Sequence, residues 1–87
     1  MTPTILYPPN NLSHIYNRHA ITRTQIDSII ASPDIISATG SNIKQYYMGD
    51  FVVIITRDNK NGKWKLKTAY KNDKPFIMGK IIYSKED

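Results

Sequence analysis

His14 and His19 are the only histidines in this 87-residue chain, and Arg18 stands between them. The stretch HIYNRHAIT, residues 14–22, thus sets two groups with an ordinary pKa near 6.5 beside a permanent cation. On a helix, His14 and Arg18 are i, i+4 and share a face, while His19 continues the row of Leu12, Ile15 and Tyr16. Each residue also has a purely structural reading. His14 can be a solvated surface residue, and His19 a half-buried imidazole donating to a backbone carbonyl. Arg18 can close a surface ion pair with a nearby Asp, which would contribute little.

Other chemistries are poorly supplied. The seven acidic residues are Asp27, Asp34, Asp50, Asp58, Asp73, Glu86 and Asp87, mostly in turns or at the C-terminus. They form no cluster with metal-ligand spacing, and there is no HExxH, which argues against two-metal phosphodiester chemistry. No metal or cofactor is therefore expected. Serine-hydrolase signatures, a Walker loop and a dinucleotide fingerprint are missing. Cysteine is absent, which removes disulfides, thiolate metal sites and a thiol nucleophile, and fits a reducing compartment or a protein that works in either.

Imidazole, hydroxyl, guanidinium and amine suffice for metal-free RNA cleavage, because the substrate carries its own nucleophile. A base takes the proton of the ribose 2′-hydroxyl, an acid protonates the leaving 5′-oxygen, and donors or cations steady the phosphorane. The net charge of +5, from twelve Lys and Arg against seven Asp and Glu, favours capture of a polyanion. It fits an ordinary basic protein as well.

The elements that must position these groups can be read from periodicity. Residues 1–9 carry Pro3, Pro8 and Pro9 and predict an extended lead-in, with Asn10 or Asn11 capping a first helix. Thr22 and Gln25 form a capping-box pair that starts a second helix, with Ile21 stapled onto Ile26. Ile26, Ile29 and Ile30 are its buried stripe, and Pro33 stops it near Ser32. Strands are predicted after Gly40: Ile43 to Met48, closed by Gly49-Asp50; Phe51 to Arg57; a hairpin loop over 58–62; a strand over 63–70; a turn over 72–75; and a last strand over 76–83. Gly79 inside that last strand predicts a bulge or a close backbone contact. The order predicts a single α+β domain over 1–87, with two N-terminal helices packed on a roughly four-stranded antiparallel meander. One sheet face should pack on the helices and the other stay open to solvent.

In the strand over 63–70, regular alternation puts Trp64, Leu66, Thr68 and Tyr70 on one face and Lys65, Lys67 and Ala69 on the other. The lysines could follow a phosphate backbone or simply discourage edge pairing. Only a bulge would bring Thr68 and Tyr70 to the side of Lys65 and Lys67. Trp64 reads as core or as a stacking platform. Tyr46 and Tyr47 are adjacent, so one of them should face outward and be able to stack on a base. Lys44, Tyr46, Arg57, Lys65 and Lys67 are thus the candidates for gripping substrate. No apolar run approaches the roughly 20 residues of a membrane helix, and MTPTILYPPNN lacks the pattern of a signal peptide.

HIYNRHAIT, followed by IDSIIASPDII, FVVIITRD and WKLKTAY, resembles the small metal-independent RNases of the barnase, EndoU, colicin-nuclease and RelE superfamily. The likeness is to its phage branch and to the polymorphic toxin C-termini of contact-dependent growth inhibition. It spans roughly residues 12–70. It implies helices on a four-stranded antiparallel sheet, RNA (tRNA in particular) on the sheet side, and cleavage that leaves a cyclic phosphate. It points to His14, Arg18, His19, Thr68 and Tyr70 as catalytic. It also implies a cognate immunity or antitoxin protein, no membrane, and action in the cytoplasm of a target cell. The chain departs from the pattern in two ways. No glutamate precedes Glu86, so a barnase-like glutamate base is not available, and KND follows TAY where the pattern expects proline. Two other readings compete: a non-catalytic RNA-binding module, and a phage structural or adaptor domain on the same fold.

Overall fold

The computed structural model describes residues 5–60, 62–73 and 77–85. The lead-in over 1–4, position 61 of the hairpin loop, positions 74–76 at the turn and start of the last strand, and Glu86 and Asp87 lie outside the described residues. The elements in chain order are β1 (Ile5–Leu6), α1 (Pro9–His19), α2 (Arg23–Ala31), β2 (Ile35–Thr39), β3 (Ile43–Met48), β4 (Phe51–Arg57), β5 (Trp64–Lys71) and β6 (Lys80–Ser84).

The fold is α+β, but the expected two helices on four antiparallel strands is corrected. Six strands form one mixed sheet in the order β1-β5-β4-β3-β2-β6. The lead-in contributes β1, paired parallel to the start of β5. The unpredicted β2 pairs with β3 on one side and β6 on the other. Only β2 to β5 run as a meander; β6 pairs outside β2 rather than beside β5.

Helix α2 forms as its sequence dictates. Thr22 Oγ1 accepts from the Gln25 N–H, Gln25 Oε1 accepts from the Thr22 N–H, and the helix ends at Ser32. Ile21, Ile26, Ile29 and Ile30 are buried. They pack with Ile15 of α1 against Tyr46, Val53, Ile55, Leu66 and Ala69 of the sheet. Helix α1 starts differently from expectation. Pro8 is its cap residue without a side-chain bond, Pro9 opens the first turn, and Asn11 is used elsewhere. It ends at Ala20 in the left-handed region (φ 55°, ψ 33°), whose N–H donates to Tyr16 O.

The face away from the helices is not open across its width. Ser37, Gln45, Tyr47 and Val52 are buried there. Ser37 Oγ donates to Gln45 Oε1 (2.9 Å), Gln45 Nε2 donates to Thr39 Oγ1 (2.9 Å), and the Met78 N–H donates to Tyr47 Oη (3.1 Å). Met78, just before β6, therefore lies over this face. Toward β5, Lys65 is exposed and Thr68 and Tyr70 are half-buried.

Gly79 makes the close approach that its position predicts. At φ 70°, a Cβ there would stand 2.2 Å from Ala38 O. Gly79→Ala is therefore expected to cost about 2–4 kcal/mol through strain and displacement of β6. Ala20→Gly, which relieves a left-handed alanine, should gain about 1 kcal/mol. Urea midpoints of the two variants measure both, and a neutral Gly79→Ala would contradict the contact.

Candidate active-site margin and cationic surfaces

Strand β5 contains the irregularity on which the site turns. Thr68 pairs with Ile54 and Leu66 with Ile55, leaving Lys67 as an extra residue opposite no partner. Such a bulge reverses the alternation of side chains downstream. Burial bears this out, because Leu66 and Ala69, three residues apart, are both fully buried in the helix-side core. The predicted regular alternation is thereby corrected. Trp64, Leu66 and Ala69 face the helices, while Lys65, Thr68 and Tyr70 share the other face. Lys65 and Lys67 are exposed; Thr68 and Tyr70 are half-buried.

Helix α1 lies along this strand. Beyond Lys65 the outer edge of β5 has no strand partner among the described residues, and Asn11 Nδ2 donates to the Leu66 carbonyl there (2.8 Å). Asn11, His14 and Arg18 follow at intervals of three and four residues, so all three stand on one row of α1. His14, Arg18 and His19 are exposed. At the end of the helix, the His19 and Tyr70 rings meet, with centroids 6.4 Å apart and planes at 53°. That separation is within the range of interacting aromatic pairs. The His19 ring therefore flanks a β5 margin that carries Lys65, Thr68 and Tyr70.

Burial, and secondarily Tyr47, raises the pKa of Tyr70 above its ordinary value. At neutral pH its phenol is protonated, and the group there is a hydrogen-bond donor. The groups named at this margin are the imidazole of His19, the phenol of Tyr70, the hydroxyl of Thr68 and the amine of Lys65.

The predicted substrate-gripping residues do not form one set. Lys44, Tyr46 and Arg57 are on the helix side, and Lys65 is on the other. Tyr46 and Tyr47 are both buried, against the expectation that one faces outward. The core packs on the first, and Met78 reaches the second. Lys44 and Arg57 instead flank Trp64, with Nζ 4.8 Å and Cζ 5.4 Å from its ring centre. Trp64 is half-buried against the core. Sequence spacing does not show this cluster, because it depends on the β3–β4–β5 register. Nor did it single out Tyr7, whose hydroxyl donates to Asp27 beneath the Arg23 guanidinium (4.6 Å). Burial and Asp27 push that phenol well above its ordinary pKa. The Arg23–Asp27 i, i+4 pair (3.9 Å) was its only sequence signal.

No helix among the described residues is long and apolar enough to cross a membrane. Compared with known protein families, curated proteins and solved structures, the chain matches none.

A tyrosine whose pKa rises on folding holds its proton longer folded than unfolded. Its stabilising contribution is complete below the unfolded value near 10 and is lost as pH rises through the folded value. Tyr70→Phe should therefore make the fall in stability above pH 10 shallower and remove one ionisation from the tyrosinate absorbance titration in that range. An unchanged alkaline slope would show that Tyr70 is not shielded as described.

Proposed function

We propose that the chain is a ribonuclease domain that cleaves RNA, tRNA foremost, by acid–base catalysis without a metal. The observation that carries this reading is the meeting of His19 with Tyr70 at the β5 margin, on the face where the bulge sets Lys65 beside Thr68 and Tyr70. In the reaction, the ribose 2′-oxygen attacks phosphorus and gives its proton to a base. The bond from phosphorus to the 5′-oxygen breaks, and an acid protonates the leaving oxygen. The products are a 2′,3′-cyclic phosphate and a 5′-hydroxyl. His14 and His19 are the proton-transfer pair, with the assignment of base and acid left to experiment. Arg18, Lys65 and Lys67 supply positive charge to the phosphorane, and Thr68 and protonated Tyr70 supply donors. Such a toxin acts in the cytoplasm of its target cell, and a basic site of this kind suits an acidic immunity or antitoxin protein as inhibitor.

A second reading, a binding module without chemistry, is favoured by the Lys44–Trp64–Arg57 cluster on the opposite face, since cation and aromatic together suit single-stranded RNA.

Purified protein is expected to cut total tRNA in EDTA, with a bell-shaped rate profile between pH 5 and 8. His14→Ala and His19→Ala should each slow cleavage about 100-fold or more, with circular dichroism unchanged. RNA left intact by folded wild-type protein, yet bound in a salt-dependent manner by all three proteins, would replace the nuclease by the binding module.

A further inference from the structure

The helix side of the sheet carries a second concave surface that uses none of the residues at the β5 margin. A groove of about 670 Å³ opens between the last turn of α2 and strands β2, β3 and β6. That volume is within the roughly 300–1,000 Å³ of small-ligand sites. Ile30, Ile36 and Tyr83 give it apolar and aromatic walls, and the buried Tyr46 lies at its base. Lys44 and Lys85 contribute two cations, and no carboxylate lines it among the described residues. Lys85 stands 3.8 Å from Asp34, the lysine exposed and the carboxylate partly so. A surface pair of that kind is worth little, so an incoming anion can recruit the lysine. An exposed tyrosine ring and apolar walls beside two amines select one chemistry, a flat ring that carries negative charge.

We infer that this groove holds a planar heteroaromatic ring bearing a phosphate, the chemistry of a nucleoside 5′-phosphate. The ring stacks against Tyr83 and Ile36, and the phosphate lies on Lys44 and Lys85. A free nucleotide and an unpaired nucleotide of an RNA strand share this chemistry.

Trp64, the single tryptophan, reports on occupancy, because the Lys44 ammonium rests over its ring and a bound phosphate draws that ammonium away. The His19→Ala protein, in which any cleavage is suppressed, is titrated with adenosine 5′-monophosphate, inorganic phosphate and a short single-stranded oligoribonucleotide. The mononucleotide should give a saturable change in emission. Lys44→Gln and Lys85→Gln should each weaken it at least five-fold. Ala31→Phe, which narrows the groove from an exposed helix position, should do the same, with circular dichroism showing all variants folded. Tighter binding of the mononucleotide than of the strand identifies a free nucleotide as the occupant, and the reverse order identifies RNA. Absence of a saturable response, equal binding of inorganic phosphate, or indifference to Ala31→Phe and both lysine variants would each overturn the assignment. Absence of RNA cleavage by the wild-type protein, with nucleotide binding retained, would overturn only the ribonuclease reading.

Discussion

The extra residue in β5 constrains everything on the margin of this sheet. A strand of two-residue period cannot bury Leu66 and Ala69 on the same side unless one residue is added between them, and Lys67 is that residue. Both burials are needed to close the core under α1. Leu66 pairs with Ile55 and Ala69 with Val53, and all four are fully buried. A fully buried aliphatic side chain contributes about 1.5–3 kcal/mol, so the core outweighs the small cost of one unpaired residue at an edge. The consequence is chemical. Thr68 and Tyr70 leave the core side and join Lys65, and an exposed lysine is placed at the kink. The same kink leaves the Leu66 carbonyl at an unpaired edge, where Asn11 takes it and draws α1 alongside. Packing thus brings the helix with the histidines to the strand with the hydroxyls.

Protection of the edges shapes the remaining surface. Exposed strand edges invite pairing with other chains. Here β1 covers the first residues of β5, α1 lies along the next, and β6 covers β2. Just before β6 the chain reaches the face away from the helices. There Met78 meets Tyr47, beside the buried Ser37 and Gln45, whose bonding continues to the exposed Thr39. Ser37 and Gln45 are tolerated in the interior because they bond to each other. Met78 thus helps cover part of a face that alternation alone would leave solvated.

Much of this was legible in the sequence where one local signal decides one local outcome. The capping box at Thr22 and Gln25 starts α2, its three isoleucines are buried, and Phe51 to Arg57 is a strand because β-branched and aromatic residues fill it. Gly79 marks a backbone contact because no other residue fits beside Ala38. What escaped depends on pairing between distant segments. Ile5 and Leu6 are too few to announce a strand and exist as one only against Trp64 and Lys65. The stretch after Pro33 shows no clear alternation, yet it is held on both sides by β3 and β6. The bulge at Lys67 has no local signal, because its cause is the burial of Ala69 against Val53, in a neighbouring strand. For the site, the composition of the α1 face was readable. The separation of Lys44 and Arg57 from Lys65 by the thickness of the sheet was not, since it follows from register.

That separation decides how the basic charge can work. A single stripe of lysines would follow one phosphate backbone along one face. Here Lys65 and Lys67 stand at the β5 margin beside the end of α1, whereas Lys44 and Arg57 hold Trp64 on the helix side and Lys85 stands near the far edge at β6. Coulomb attraction between exposed groups fades over roughly 8–10 Å at physiological ionic strength, so the two sides attract an anion largely independently. A strand touching both must wrap around an edge of the sheet rather than run across a face. The edges are where backbone, helix end and aromatic rings converge, and there a flexible single strand can follow the turn while a stiff duplex cannot. A polyanion that touched both sides of this sheet would therefore have to be unpaired and bendable.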